Sequence, residues 1–339
     1  MKKYIISAAA AACCLRLALL PAAAQEPAKA APSPGEIVAA APLTDWVEIS
    51  PFDLLVMDLA PDAKGKPRQV IIQLMPPPFS QGWIGNIRKL AAAHWWDGTS
   101  INRVQDNYVV QWGDATEMKA LPSGLVTPNE KDYEVATVTE AEDQFGIIGP
   151  DGAFEDPYAK LNFIYQGWPI ASDWERQWPI HCYGMVGVGR NLSPDTGSGA
   201  ELYTVIGHAP RHLDRNIALV GRVIEGIEHL SSLPRGTGAL GFYETAAERV
   251  EILKIRMGNE LTQSERPAFQ MLRTNPTSFE AFKVNEGGWR QHSTILDKAK
   301  VGSFAAYADA RANRRDPFFI KPAGGADICN IPVPVRRRP

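Results

Sequence analysis

Arg103 and Gln111 are the polar side chains in this sequence best placed to act together on a peptide group. They lie in the run Asp97-Gly98-Thr99-Ser100-Ile101-Asn102-Arg103-Val104-Gln105-Asp106-Asn107-Tyr108-Val109-Val110-Gln111-Trp112-Gly113-Asp114. Both halves of the run are rich in β-branched and aromatic residues, and the polar break at Asp106-Asn107 is a hairpin signal. Alternation along the return strand predicts Val109, Gln111 and Gly113 on one face and Tyr108, Val110 and Trp112 on the other. A tight turn brings Arg103 and Gln111 close, beside aromatic surface. That combination suits binding a peptide group.

The run resembles the signature hairpin of the cyclophilins, a family of peptidyl-prolyl cis-trans isomerases. The family pattern is roughly DG-[TS]-x-[FI]-x-R-V-x-x-x-[FY]-x-x-Q-x-G-D, and it is met at Asp97, Gly98, Arg103, Val104, Tyr108, Gln111, Gly113 and Asp114. Two later blocks also resemble the family. One is Gly184-Met185-Val186-Gly187-Val188-Gly189 followed by Gly199-Ala200-Glu201-Leu202-Tyr203, and the other is Leu213 through Gly226. The resemblance covers roughly Asp53 to Gly258, with a divergent insertion at about 115–180. It implies a mainly β fold: a closed eight-stranded antiparallel barrel capped by two helices, with the insertion and a C-terminal extension added.

The chemistry implied is bond rotation. A prolyl peptide bond resists twisting by about 18–20 kcal/mol because the nitrogen lone pair is shared with the carbonyl. No nucleophile, metal or cofactor is required. A donor aimed at the prolyl nitrogen or its carbonyl oxygen draws the lone pair out of conjugation, and a guanidinium has the fixed charge and planar fork for this. By the resemblance, Arg103 takes the catalytic arginine's place and Gln111 that of the glutamine orienting the substrate carbonyl. Tyr108, Val109, Tyr203 and Leu213 match pocket positions. Ile217 stands at a pocket histidine, His212 close to a pocket tryptophan, Gly189-Arg190 at an Ala-Asn pair and Glu201 at a glutamine. An arginine and a glutamate at one groove are expected to pair with each other or to select charged peptides. A barrel that captures prolyl segments without accelerating their rotation is the alternative reading.

Other motifs are weaker. Gly187-Val188-Gly189 and Gly197-Ser198-Gly199 complete no phosphate-loop pattern and read as barrel turns. His208 and His212 flank Pro210, which interrupts any helix that would align them on a metal. His181 beside Cys182 stands too isolated to suggest zinc.

The elements that must position the site are legible around it. Leu54 to Leu59 and Val70 to Leu74 read as an opening hairpin. Trp83, Ile84, Ile87, Leu90 and Ala91 fall at helical spacing. With 339 residues, 45% hydrophobic and 22% charged, the chain can bury one sizeable core. Its short apolar runs, broken by 28 Gly and 27 Pro, favour an all-β domain. Residues 46–258 are taken as the barrel domain and 259–339 as the extension. In that extension Glu265–Arg273 and Pro276–Lys283 read as helices with Ser264 and Asn275 as caps, and Asp327–Val335 as a strand.

Residues 1–24 read as a bacterial-type signal peptide: Lys2-Lys3, an apolar stretch from Tyr4 to Leu20, then Ala22-Ala23-Ala24. Export to the periplasm follows, with a lipid anchor on Cys13 as the lesser alternative. Residues 25–45 read as a flexible Ala/Pro-rich leader. Removing residues 1–24 takes away Lys2, Lys3 and Arg16 and no acid, so the formal net charge of −3 becomes −6. Such a chain has no general attraction to nucleic acid. Arg336-Arg337-Arg338 reads as a solvated tail. Cys182 and Cys329 are left either bridged or as two buried thiols. The expected partners are proline-containing segments of exported proteins.

Overall fold

The computed structural model describes residues 31–137, 156–274, 302–312 and 327–338. The signal segment, Asn275, the Pro276–Lys283 run and much of the insertion's Gly/Pro-rich centre lie outside the described residues. In chain order, α1 (Pro34–Ala40) precedes β1 (Trp46–Ile49), β2 (Leu54–Leu59), β3 (Arg68–Leu74) and α2 (Gln81–Ala92). Then come β4 (Ser100–Val104), β5 (Val109–Gly113), β6 (Val135–Ala136), β7 (Leu161–Tyr165), β8 (Trp168–Ser172) and β9 (Arg176–Pro179). They are followed by β10 (Met185–Val188), β11 (Leu202–Val205), β12 (Leu219–Glu225), α3 (Glu228–Ser231) and β13 (Val250–Met257). The C-terminal part holds β14 (Phe269–Leu272), α4 (Ser303–Ala312) and β15 (Val335–Arg337).

Eight strands close into an antiparallel barrel in the order β10-β11-β5-β4-β13-β2-β3-β12. The opening hairpin β2–β3 is formed as the apolar runs predict, with Met57 opposite Val70 and Leu55 opposite Ile72. Inward positions such as Leu55, Met57, Val70, Ile72, Val110, Trp112 and Leu202 share one core with Trp83, Ile84, Ile87, Leu90 and Ala91 of α2. Those five helical side chains keep at most 2% exposure, and burying each large one favours the fold by about 1.5–3 kcal/mol. Asn86, on the same face, is tolerated because its amide is fully engaged. It donates to Val126 O (2.8 Å) and Ser198 O (2.9 Å) and accepts from Val126 N (2.9 Å). The second helix, α3, is a single turn that buries Leu230 in the same core.

The additions to the barrel are more ordered than the sequence suggests. The insertion is built into the fold. Within it β6, β9, β8 and β7 form a four-stranded antiparallel sheet in that order, and Trp168, Ile170 and Trp178 join the barrel core. A third sheet, β1-β14-β15, joins the strand that precedes the barrel to two strands that follow it. Its Ile49 and Phe269 cover Leu54, Val56 and Ile71 on the outside of the barrel. Strand β2 is thereby buried on both faces, which is why it reads as a continuous apolar run.

Four expectations are corrected here. Glu265–Arg273 is not a helix capped by Ser264. Pro267 lacks the N–H a helix needs and restricts Arg266, and Phe269–Leu272 pairs as β14 with β1. The final strand does not span Asp327–Val335. Pro332 and Pro334 cannot donate to a ladder, so Ile328–Asn330 is a 3-10 turn and pairing begins at Val335. The arginine tail is not merely solvated. Arg336 lies 3.8 Å over the Trp46 ring and hydrogen-bonds Gln270, Arg337 pairs with Glu225, and Arg338 pairs with Glu48 at 2.9 Å. Part of the leader is helix: Ser33 and Glu36 form a capping box that starts α1, which packs on α4. Cys182 and Cys329 are bridged, tying the C-terminal segment to the start of β10.

Candidate functional site

The hairpin forms where the turn chemistry places it. Gln105 N donates to Val109 O (2.9 Å), and Asn107 takes the left-handed conformation that two-residue turns favour. Arg103 and Gln111 then become direct cross-strand partners. Gln111 in turn faces Tyr203 on β11, and Tyr203 faces Gly187 on β10. One row of residues therefore crosses four strands on the outer surface of the barrel, while Val110, Trp112 and Leu202 point into the core. Gly187, inside β10 rather than in a turn, is needed there. A Cβ at that position would stand 2.3 Å from the Tyr203 hydroxyl oxygen.

The Arg103 guanidinium is held on three sides. Nε donates to Leu240 O (2.8 Å), Nη1 to Gln111 Oε1 (3.1 Å) and Nη2 to Gln105 Oε1. Its Cζ lies 5.8 Å from the Tyr108 ring centre and 5.4 Å from that of Phe242. One N–H on each terminal nitrogen remains uncommitted in this arrangement. Burial draws the Arg103 pKa down and pushes that of Tyr108 up.

Beside the arginine, Val109, Tyr203, Val205 and Leu213 form a separate apolar cluster, with Tyr108 and Ile217 packed against it. Five predicted pocket residues meet here: Tyr108, Val109, Tyr203, Leu213 and Ile217. Tyr108 departs from strict alternation because it precedes β5 and belongs to the turn, which leaves its ring free to join Val109's side. His212 is exposed and stacks on Tyr108, with ring centres 5.9 Å apart and Nε2 3.3 Å from the phenol oxygen.

Gly189, Arg190 and Glu201 border the same row, but the expected ion pair is not made. Arg190 is turned away onto Asn216 O (3.0 and 2.8 Å) and Asn191 O (2.7 Å). The Glu201 carboxyl lies over Gly113, where an added Cβ would stand 1.8 Å from its Oε1, and Gly189 N donates to Glu201 O (2.8 Å).

Behind the groove a buried polar chain holds the pocket wall. The Tyr203 hydroxyl meets His181 Nε2 at 2.9 Å, and His181 Nδ1 meets Asp214 Oδ1 at 2.9 Å. Arg211 then bridges Asp214 (2.5 Å) and Asp156 (2.7 Å). The two signature aspartates have structural work. Asp97 takes both terminal nitrogens of Arg256 at 2.7 Å, which holds its carboxyl below the usual range. Asp114 accepts from the backbone of Thr116, Met118 and Lys119.

Sequence reasoning missed Val205, Gln105, Leu240 and Phe242. Val205 was reachable by alternation from Tyr203. Leu240 and Phe242 carry no local signal, since only the closed barrel brings their loop onto Arg103. Two surface cavities lie away from the groove. One, of about 200 Å³, is walled by Cys182, Arg222, Ile328 and Val333, and the other, of about 290 Å³, by Leu125, Asp195 and Thr196. Among the described residues no cluster of three or more His, Cys, Asp or Glu is arranged to hold a metal ion.

Comparison with known proteins agrees with this geometry. Among solved structures the chain is similar to cyclophilin AquaCyp293 from Hirschia baltica. The match has 21% identity over 67% of this chain and 82% of that one, with a TM-score of 0.53. Two structures of a cyclophilin type peptidyl-prolyl cis-trans isomerase from Cryptosporidium parvum, one with the dipeptide Ala-Pro, also match. They share 12% identity over 60% of this chain and 98% and 97% of theirs, with TM-scores of 0.34. No curated protein matches the sequence. The family profile described as cyclophilin type peptidyl-prolyl cis-trans isomerase/CLD matches residues 83–257, from within α2 to the end of β13. More than half the chain thus fits the profile, and the strands outside it close the same barrel: the chain belongs to the cyclophilin-type peptidyl-prolyl cis-trans isomerase family.

Proposed function

We propose that the protein accelerates rotation about Xaa-Pro bonds of exported proteins, with Arg103 as the catalytic residue. The observation that carries this is the Arg103–Gln111 cross-strand pair standing beside the apolar cluster of Val109, Tyr203, Val205 and Leu213. The proline ring rests on that cluster. The free N–H groups of Arg103 reach the prolyl nitrogen as it becomes pyramidal, and Gln111 steadies the substrate carbonyl. Tyr108, His212 and Ile217 form the rim, and Gly189, Arg190 and Glu201 flank the peptide backbone. Charge placed in advance where the transition state needs it lowers the barrier, and each 1.36 kcal/mol is worth about tenfold in rate.

The step needs no proton transfer, metal or cofactor, so chelators leave the activity intact. The periplasm is the proposed location. Support comes from the Lys2-Lys3 start and apolar stretch before Ala22-Ala23-Ala24, and from the Cys182–Cys329 bridge, which suits an oxidising compartment. Folding chains there expose slow prolyl bonds.

The test follows cis-to-trans exchange of short Xaa-Pro peptides by NMR, for the parent and Arg103→Ala. Acceleration that collapses in the variant, with circular dichroism unchanged, is expected. Peptide binding without acceleration in either protein would instead make this a capture module.

A further inference from the structure

The floor of the groove carries a polar handle. Tyr203 lies in the apolar cluster with Val109, Val205 and Leu213 and keeps 4% exposure. Its hydroxyl passes over Gly187 and ends on His181 Nε2 at 2.9 Å, with the two rings nearly parallel at 14°. Bond rotation needs no buried hydroxyl, histidine or carboxylate. Yet Asp156, Arg211, Asp214, His181 and Tyr203 form one hydrogen-bonded line from the insertion to this ring. The side chains of the first four keep at most 5% exposure. Asp156 accepts from Tyr158 N (2.9 Å) and from Asn162 Nδ2 on β7 (3.2 Å), which roots the line in the inserted sheet.

The donors along this line are determined. Asp214 Oδ1 accepts from the His181 backbone N–H at 3.0 Å and lies 2.9 Å from His181 Nδ1. A carboxylate oxygen only accepts, so Nδ1 carries the ring proton, and Nε2 of the neutral imidazole is left as an acceptor. The Tyr203 hydroxyl therefore donates to Nε2. Its ring cannot tilt in the groove without giving up that bond, and a buried hydroxyl with no partner is costly. The same line sets a second wall. Arg211 opens the 3-10 turn that carries His212 and Leu213, and Asp214 closes it. Leu213 is thereby placed relative to Tyr203 through His181.

Resting on the isomerase reading above, we propose that His181 is a positioning residue: through the Tyr203 hydroxyl it fixes the floor on which the proline ring rests. Asp214, Arg211 and Asp156 hold it in place from the insertion.

A kinetic signature follows from where the floor touches. The proline ring keeps its seat while the other side of the bond turns, so the floor contacts it equally in the ground and transition states. Uniform contact of this kind sets KM and leaves kcat alone. Arg103 acts on the nitrogen whose conjugation changes, so its loss falls on kcat.

The test measures kcat and KM for Xaa-Pro exchange by NMR in the purified protein, Tyr203→Phe, His181→Leu and the double variant. Tyr203→Phe removes one oxygen and keeps the ring. His181→Leu fills the space and leaves the backbone N–H of residue 181 on Asp214. Each single variant should raise KM by about three- to tenfold, the worth of one buried hydrogen bond, with kcat at the parental value. The double variant should be no worse than either single one, because without the hydroxyl His181 has nothing to hold. Parental KM in either single variant, a fall in kcat in place of the rise in KM, or KM effects that multiply in the double variant would overturn the proposal. Should His181→Leu fail to fold, Tyr203→Phe and a second readout decide. The His181 ring nitrogens, followed by long-range nitrogen–proton NMR, should shift in the parent when an Xaa-Pro peptide binds and stay still in Tyr203→Phe. Signals that ignore the peptide in the parent, or that shift equally in both proteins, refute the coupling. If the parent binds these peptides without accelerating them, the isomerase reading fails, and their dissociation constant takes the place of KM in the same comparison. A parent that binds none of them overturns both.

Discussion

Arg103 and Arg222 stand in the same local device at two places on the outside of one barrel. Each is the cross-strand partner of a glutamine: Arg103 of Gln111 between β4 and β5, Arg222 of Gln73 between β12 and β3. Each donates to that glutamine's Oε1, Arg103 at 3.1 Å and Arg222 at 3.0 and 2.8 Å. What differs is the cover. Over Arg222 the inserted hairpin β7–β8 closes with Gly167 O at 2.7 Å and the Trp168 ring at 4.5 Å, leaving 7% exposure. Among the described residues no carboxylate pairs with it, and burial draws its pKa down to about 10. Over Arg103 only the edge of the 239–242 loop arrives, and its terminal nitrogens keep N–H groups toward the groove. An arginine–glutamine pair is therefore not a site by itself. It becomes one where apolar surface lies beside it and nothing seals it.

This contrast breaks most sharply on the arginines themselves. Arg103→Ala should lower kcat/KM by about 10²–10³-fold, the usual loss for a donor to developing charge, while the urea midpoint barely moves. Arg222→Ala should do the reverse. It strips donors from Gln73 Oε1 and Gly167 O and opens space under Trp168, for a loss of about 2–5 kcal/mol in urea unfolding. Its kcat/KM per folded molecule should match the parent, and a parental stability would show that the covered pair holds nothing together.

The covered side has a second clasp. Cys329→Ser removes the bridge to Cys182, which closes a separation of 147 residues, and should cost about 2–4 kcal/mol with activity retained at low temperature. Alkylation of the parent without reductant should leave its mass unchanged. The smallest effect belongs to the open side. Phe242→Ala takes one ring from beside Arg103 and should reduce kcat/KM by a factor of about 2–5. No change there would mean that Tyr108 and the Leu240 carbonyl suffice to place the guanidinium.

The open pair was readable from the chain because its parts are local. Arg103 and Gln111 sit across a two-residue turn, so spacing and strand period bring them together without any help from elsewhere. The α2 stripe and the β2–β3 hairpin were readable for the same reason. The covered pair was not. Gln73 and Arg222 are separated by 149 residues, and nothing near either hints at the other. The C-terminal segment misled for a related reason: charged and apolar residues at helix-like spacing around Pro267 gave way to pairing with β1, a strand more than two hundred residues earlier. Arg336 to Arg338 looked like tail because their partners Trp46, Gln270, Glu225 and Glu48 are scattered along the chain.

Local sequence was enough for the barrel's hairpins, its capping helix and the identity of the groove's arginine and glutamine, since each depends on periodicity and turn chemistry over a few residues. Which outer faces are sealed and which stay open was set by the packing of distant segments. That packing also brought Leu240 and Phe242 to Arg103, turned Arg190 away from Glu201, and set the half-buried Glu201 over Gly113. Those outcomes depend on desolvation and on contacts between distant segments, and neither quantity exists until the chain has closed on itself.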